Sequence, residues 1–287
     1  MSKAERKQAV IVISSEVARG SVGGRAGTFV LERMGFPVWR VPTVTLPWHP
    51  GHGPATRMTP SPGDFSAFLD DLTKAQWLGE VGAVMTGYLG DSRQAEPIAR
   101  LVDVVKAKSP DSIYLCDPII GDVRGLFQPE AIAAAIRDDL LPRADIATPN
   151  LFELGWFSGK SLKNIEEISG AARALGIPEV IVTSAPAGEG RIGNLLVEAG
   201  KASLFSHVAY PSVPHGTGDL LAALYLGNRL KDPDPAAALM RALASTEALI
   251  RLGRAAGDDE MPLVTGQALF ETLPDGSVTV ETEGRST

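Results

Sequence analysis

Several short runs of the chain are almost wholly apolar: residues 9–13, 83–86, 112–116, 146–148 and 180–183. A strand with one wet face would alternate between apolar and polar residues. Continuous apolar runs are what parallel strands covered on both faces require. Between them lie segments with helical periodicity, at residues 24–34, 64–78, 92–108, 129–140 and 165–175. Asp64 and Ser92 read as N-caps, and Pro129-Glu130 as a first helical turn. Strand-helix alternation of this kind predicts a mostly parallel sheet with helices on both faces. Two sections break the rhythm. Residues 192–197 and 202–208 flank Glu198-Ala199-Gly200-Lys201, which reads as a hairpin. In the tail, residues 262–282, Pro274-Asp275-Gly276 reads as a turn before a short strand at Val278-Thr279-Val280. Both should add antiparallel strands at a sheet edge. The expected fold is α/β in three layers, a single domain over residues 1–287. A proline-rich loop, residues 47–62, is long enough to be functional or mobile.

Composition narrows the class. The chain has 287 residues, 44% hydrophobic and 21% charged, as a globular protein should. Its net charge of −7 argues against nucleic acid or an anionic membrane as partner. The one cysteine, Cys116, lies in an apolar run and reads as a buried core thiol; it leaves no intrachain disulfide and no cysteine-rich zinc site. The charged first eight residues and the lack of any apolar run near 20 residues predict no signal peptide and no membrane span, hence a cytoplasmic protein.

In a doubly wound sheet, ligands bind beyond the carboxyl ends of the strands. Polar clusters follow the apolar runs at Ser14-Ser15-Glu16, Thr86-Gly87-Tyr88, Asp117 to Asp122, Thr148 to Glu153 and Thr183-Ser184. A further one, Gly216-Thr217-Gly218-Asp219, opens a helical run. Its glycines and threonine sit at a helix N-terminus, where N–H groups and the helix dipole favour an anion. A carboxylate beside an anion hole repels a passively bound phosphate. It makes sense if Asp219 takes a proton from a hydroxyl attacking a phosphoryl group. The plain alternative is a helix-terminal aspartate, stabilising by about 0.3–1 kcal/mol. Asn150 and Glu153 lie three apart and share a helical face, which read plainly is a helix cap. Ser15 and Tyr88 read plainly as a strand-end cap and a half-buried core tyrosine.

The segments Ile13 to Gly23, Thr86-Gly87-Tyr88-Leu89-Gly90, Cys116 to Asp122, Thr148 to Glu153 and Gly216 to Asp219 together resemble the pyridoxal kinases of the ribokinase-like superfamily. The resemblance spans most of the chain, and the last motif alone points to the superfamily. It implies transfer of the ATP γ-phosphoryl group to the 5′-hydroxymethyl of pyridoxal, with Mg2+ and possible use of a monovalent cation such as K+. It implies Asp219 as base and the N–H groups of Gly216, Thr217 and Gly218 as the anion hole. Asn150 and Glu153 would organise metal and phosphate, with Asp122 near both. Asp117, Thr148 and Thr183 would lie near the monovalent cation, and Ser184 would contact nucleotide phosphate. Ser15, Tyr88, Val22, Leu46 and His49 would form the vitamer wall, although His49 also reads as an exposed loop residue. A homodimer is also implied.

The chain departs from that pattern in two places. Residues 45–53 read Thr-Leu-Pro-Trp-His-Pro-Gly-His-Gly where the family usually shows Gln-Phe-Ser-Asn-His-Thr-Gly-Tyr, and Glu16 stands where histidine is common. These changes bear on preference among pyridoxal, pyridoxine and pyridoxamine. The lid after Asp122, residues 123–127, is also short, which predicts poorer exclusion of water. The nearest rival is a kinase of hydroxymethylpyrimidine, which shares the fold and the Gly-Thr-Gly-Asp type of motif. Gly87-Tyr88-Leu89 and Cys116-Asp117-Pro118 favour the B6 reading. A non-catalytic vitamer-binding protein would have lost Asp219, Asn150 or Glu153, and each is present. A dinucleotide dehydrogenase fails, because no Gly-x-Gly-x-x-Gly follows the first strand, and a Walker motif is missing as well.

Overall fold

A computed structural model describes residues 8–273 and 275–282. Its strands are β1 (Ala9–Val17), β2 (Val38–Leu46), β3 (Val81–Thr86), β4 (Ile113–Cys116), β5 (Gly121–Asp122), β6 (Gly125–Leu126), β7 (Ile146–Ala147), β8 (Glu179–Pro186), β9 (Arg191–Glu198), β10 (Lys201–Val208) and β11 (Thr279–Thr282). The helices are α1 (Gly23–Arg33), α2 (Pro62–Thr73), α3 (Ala95–Lys108), α4 (Glu130–Ala135), α5 (Leu151–Ser158), α6 (Ile165–Ala174), α7 (Thr217–Lys231) and α8 (Pro235–Ala256). The main sheet runs β11-β10-β9-β8-β7-β4-β3-β1-β2. From β2 to β8 every pairing is parallel, and β8 to β11 pair antiparallel. The continuous apolar runs are thus the parallel strands, and the hairpin and tail strand form the antiparallel edge. The turn residue Pro274 lies outside the described residues.

Successive strand residues feed opposite cores. Ile11, Val84, Tyr114 and Val180 pack under α2 to α6. Val10, Val12, Met85, Leu115 and Ile181 pack under α1, α7 and α8. Both faces are covered, so the two-residue alternation of the pleat is satisfied without any polar face. Residues 220–228 of α7 are all buried, because α1 and α8 enclose the helix against the sheet. Cys116 is buried, and burial pushes its thiol up to about 12.

Two elements go beyond the sequence pattern. β2 carries Arg40 and Pro42, which interrupt its apolar residues. As an edge strand it tolerates both. α8 is alanine-rich and buried on several sides, so no stripe stands out. Its start and stop are nonetheless built from readable residues: Asp234 Oδ1 accepts from the Ala236 N–H at 3.0 Å, and Gly257 ends it in the left-handed region. Helix ends also shift. The cap of α2 is Ser61, whose Oγ accepts from the Asp64 N–H at 3.1 Å, so Asp64 belongs to the first turn and the helix stops at Thr73. Asp91, not Ser92, caps the 3-10 turn that leads into α3. Past Ala135, α4 widens into a π-helical turn, Ile136–Leu140.

The far end of α7 is pinned to the sheet. Glu179 on β8 accepts from Arg229 at 2.6 Å and from the Tyr225 hydroxyl at 2.6 Å, with both charged side chains largely buried. Removing one partner of such a pair costs about 3–5 kcal/mol, because the other charge is left without compensation. Glu179→Ala is expected to lower the urea midpoint by a shift of that order, whereas a change under about 1 kcal/mol would place the pair with solvent-screened bridges.

Candidate active site

The carboxyl ends of β4, β7 and β8 and the start of α7 enclose a cavity of about 220 Å³. Asp117, Asp122, Thr148, Asn150, Glu153, Thr183, Gly216, Gly218 and Asp219 line it. Nine residues singled out from the sequence thus meet at one place. Among the described lining residues there is no lysine or arginine.

Glu153 organises the floor. It is 3% exposed, and its carboxylate accepts from the N–H groups of Asn150 at 2.8 Å, Ile120 at 2.8 Å and Gly121 at 3.4 Å. Asn150 in turn accepts from the Glu153 N–H at 2.9 Å and donates to the Gly121 carbonyl at 2.8 Å. The pair is therefore a complete capping box at the start of α5, and it also ties that helix to the loop after β4. Ile119 in that loop has φ 47°, a strained value for a β-branched residue. Its carbonyl accepts from Gln128 Nε2 at 2.6 Å. Burial pushes the Glu153 carboxyl up to about 7, against its three N–H donors. Asp117 is also buried, accepts from Thr148 Oγ1 at 2.9 Å, and is raised by burial and by the charges of Glu153 and Asp219. Asp122 differs. It sits on the small β5–β6 hairpin, which is the short lid, and exposed Arg124 beside it holds its carboxyl below the usual range.

The α7 terminus forms the opposite wall. Gly216 has φ 90°, and a Cβ there would overlap the Ser21 carbonyl oxygen, so the chain reaches this turn only with glycine. Gly218 faces open space. The Thr217 hydroxyl is turned away and donates to the Pro214 carbonyl at 2.8 Å, so Thr217 can offer the cavity only its N–H. Asp219 is half-buried at the cavity wall. Burial pushes its carboxyl up to about 6, opposed by the N–H groups of Gly23 and of Asp219 itself. The starts of α1 and α7 therefore meet at this carboxylate.

Ser184 is placed elsewhere. It is exposed, has φ 58° at a bulge between Thr183 and Ala185, and lines a neighbouring cleft of about 560 Å³ with Asp122, Asn150, Trp156 and Lys160. Across Gly216 lies a second group. Val22 and Leu46 are buried with Val17 and Val44, and Tyr88 packs against them. Ser15 is buried at the end of β1 beside Gly23. His49 is half-buried, not free in solvent, and its ring stacks on His215 with centroids 4.3 Å apart. Burial, then the His215 charge, holds its imidazole below the usual value.

Some supporting residues were not singled out. Ser14 Oγ accepts from the Tyr88 N–H at 3.1 Å, and Thr43 Oγ1 donates to the Tyr88 carbonyl at 2.6 Å. Arg57 donates to the Tyr88 hydroxyl at 3.0 Å. Gln94 Nε2 donates to the Thr43 carbonyl at 2.8 Å. Ser14 stood in a strand-end cluster; Thr43, Arg57 and Gln94 carried no local signal.

The chain is similar to small-molecule kinases of the ribokinase-like class. The phosphomethylpyrimidine kinase family matches residues 67–264. Pyridoxal kinase PdxY of Rubrobacter xylanophilus is 35% identical over 273 residues, covering 92% of this chain and 94% of the relative. The enzyme of the same name from Granulibacter bethesdensis is 32% identical over 274 residues, covering 92% and 96%. Among solved structures, pyridoxal kinase from Leishmania donovani in complex with ADP superposes with a TM-score of 0.88 at 25% identity, covering 96% of this chain and 99% of that one. The same protein with ADP and pyridoxine gives 0.86 at 26% identity. The chain belongs to the phosphomethylpyrimidine kinase family and, within it, to the pyridoxal kinases.

The raised carboxyls make a stability prediction. Their protonated forms favour the folded state, so their contribution is full below about pH 4 and is lost as pH rises through about 6 and 7. In chelator and without ligands, wild type is expected to lose about 2 kcal/mol more than Glu153→Gln between pH 5 and pH 8. Urea midpoints measured at both pH values check this; parallel slopes would contradict it.

Proposed function

We propose that this protein transfers the γ-phosphoryl group of ATP to the 5′-hydroxymethyl of pyridoxal, giving pyridoxal 5′-phosphate. The observation that carries the proposal is the place of Asp219. Its carboxylate lines the cavity with Gly216 and Gly218 and accepts from the Gly23 N–H; Gly23 lies against Ser15, and Gly216 against Val22. In this reading a ring held by Ser15, Val22 and Tyr88 presents its hydroxyl to Asp219 and the anion turn together. The relatives named pyridoxal kinase, and the Leishmania structures with ADP and pyridoxine, support the same choice of substrates.

In this reading Asp219 accepts the hydroxyl proton as the oxygen attacks. A carboxyl near 6 is mostly ionised at neutral pH, yet basic enough to take a proton in the transition state. The N–H groups of Gly216, Thr217 and Gly218 face the transferring phosphoryl and stabilise the charge that builds on it. Asn150, Thr183, Ser184 and Asp122 hold the nucleotide phosphates. Ser15 bonds a ring substituent, Tyr88 and Leu46 supply apolar surface, and His49 closes the wall.

The donor set fits Mg2+. Asp117, Asp122 and Glu153 are hard oxygen donors on a cavity whose described lining has no lysine or arginine; burial, then the charges of Glu153 and Asp219, raises Asp117. Among the described residues no group of three or more His, Cys, Asp or Glu could hold a metal ion by itself. Mg2+ is generally held through one or two carboxylates, waters and substrate phosphates. Mg2+ would neutralise phosphate oxygens there, with Asp122 and Glu153 nearest in role. Asp117, with Thr148 and Thr183, would hold K+.

ATP-dependent phosphorylation should be seen with pyridoxal at a higher kcat/KM than with hydroxymethylpyrimidine. Asp219→Asn is expected to lower kcat about 10²–10⁴-fold with pyridoxal KM little changed. Product formation followed by phosphorus NMR checks both. Wild-type turnover in the variant would remove Asp219 from the base role, and preference for hydroxymethylpyrimidine would overturn the substrate.

A further inference from the structure

One buried carboxylate outside the cavity has no part in that chemistry. Glu260 follows α8 and is 7% exposed. Its Oε2 accepts from the Ser21 N–H, and its Oε1 pairs with His52 Nε2 at 2.9 Å. Arg19 Nη1 lies 3.6 Å from Oε1. Gly20, at φ 129°, lies against this carboxylate, and a Cβ at that position would overlap it. The backbone beside it pairs with the anion turn: the His215 N–H donates to the Asp259 carbonyl at 2.9 Å, and the Met261 N–H donates to the His215 carbonyl at 2.9 Å.

Three segments therefore converge on Glu260. The first, residues 19–22, leads into Val22 and the start of α1. The second, residues 47–53, carries His49 and is the stretch that departs most from the family pattern. The third is His215, next to Gly216. The imidazoles close the triangle: His49 stacks on His215 at 4.3 Å, and His52 meets His215 edge-on at 5.9 Å. The His49 ring is fixed further, because its Nδ1 accepts from the Gly51 N–H at 3.1 Å. A carboxylate this buried is costly unless its charge is met by donors, and here the donors all come from the segments 19–21 and 49–52 between β-strands and helices. Its effect is to hold those loops in one arrangement.

We propose that Glu260 is a positioning residue for the vitamer, a clip that holds the His49–His52 loop and the Ser21–Val22 segment together against the anion turn. Vitamer affinity depends on it, and nucleotide affinity does not. The substrate side of this inference rests on the pyridoxal kinase reading.

Two measurements test it on Glu260→Ala, His52→Ala, the double variant and Glu260→Gln. In steady-state kinetics, each alanine variant should raise pyridoxal KM about tenfold or more, the worth of a charge-assisted hydrogen bond, and ATP KM should stay within about twofold. The double variant should be no worse than Glu260→Ala, since both changes open one clip. Glu260→Gln keeps an acceptor for the Ser21 N–H and should recover part of the loss. In hydrogen exchange without ligands, His52→Ala should raise exchange at residues 19–23 as well as within its own loop. An unchanged pyridoxal KM in an active wild-type background overturns the clip, as do ATP KM rising in step with pyridoxal KM, single effects that multiply, or exchange changes confined to residues 47–53. If the wild type shows no pyridoxal-dependent ADP formation but the exchange coupling is present, the substrate reading falls and the clip remains.

Discussion

A single carboxylate, Glu153, sets the geometry on which the phosphoryl side depends. It meets three backbone N–H groups from two segments, the start of α5 and the loop after β4. Those donors fix the strained turn at Ile119 and aim the β5–β6 hairpin, and Asp122 with it, over the cavity. Burial is what raises the carboxyls of both Asp117 and Glu153, with neighbouring carboxylates adding to it. Such a pocket is poorly balanced by itself. In the proposed reading, the Mg2+ ion would offset part of this carboxylate charge and part of the charge of the nucleotide phosphates.

The second constraint is the meeting of two helix starts. Gly216 packs so tightly on Ser21 that a side chain there would collide, and Asp219 faces the Gly23 N–H. The anion turn and the apolar wall are thus one mechanical unit rather than two neighbouring sites. Glu260 extends that unit to the His49–His52 loop. The pinned far end of α7, through Arg229 and Glu179, keeps the helix that carries Asp219 seated on β8.

Much of this was legible in the chain. The parallel strands showed as continuous apolar runs because both of their faces are covered, and the polar residues just after them define the cavity. Asn150-x-x-Glu153 announced a shared helical face, and the structure shows the pair as a complete capping box on the cavity lining. What escaped did so for physical reasons. β2 is an edge strand broken by Arg40 and Pro42, and α8 hides its period by being buried on several sides. Glu260, Thr43 and Arg57 act across 30 to more than 200 positions of sequence, which no local pattern encodes. The sequence left His49 open between the vitamer wall and an exposed loop residue; its stacking on His215, a residue whose backbone pairs with Glu260, could not be read from it.

The central claim is that Asp219 works as a base whose carboxyl has been raised by burial between two helix starts. The most direct measurement is the pH dependence of kcat/KM for pyridoxal at saturating ATP and Mg2+. The account predicts an acid limb with an apparent pKa of about 6, activity falling as the pH drops through it, and loss of that limb in Asp219→Asn. A wild-type profile flat down to pH 5, or an acid limb that persists unchanged in Asp219→Asn, would contradict it.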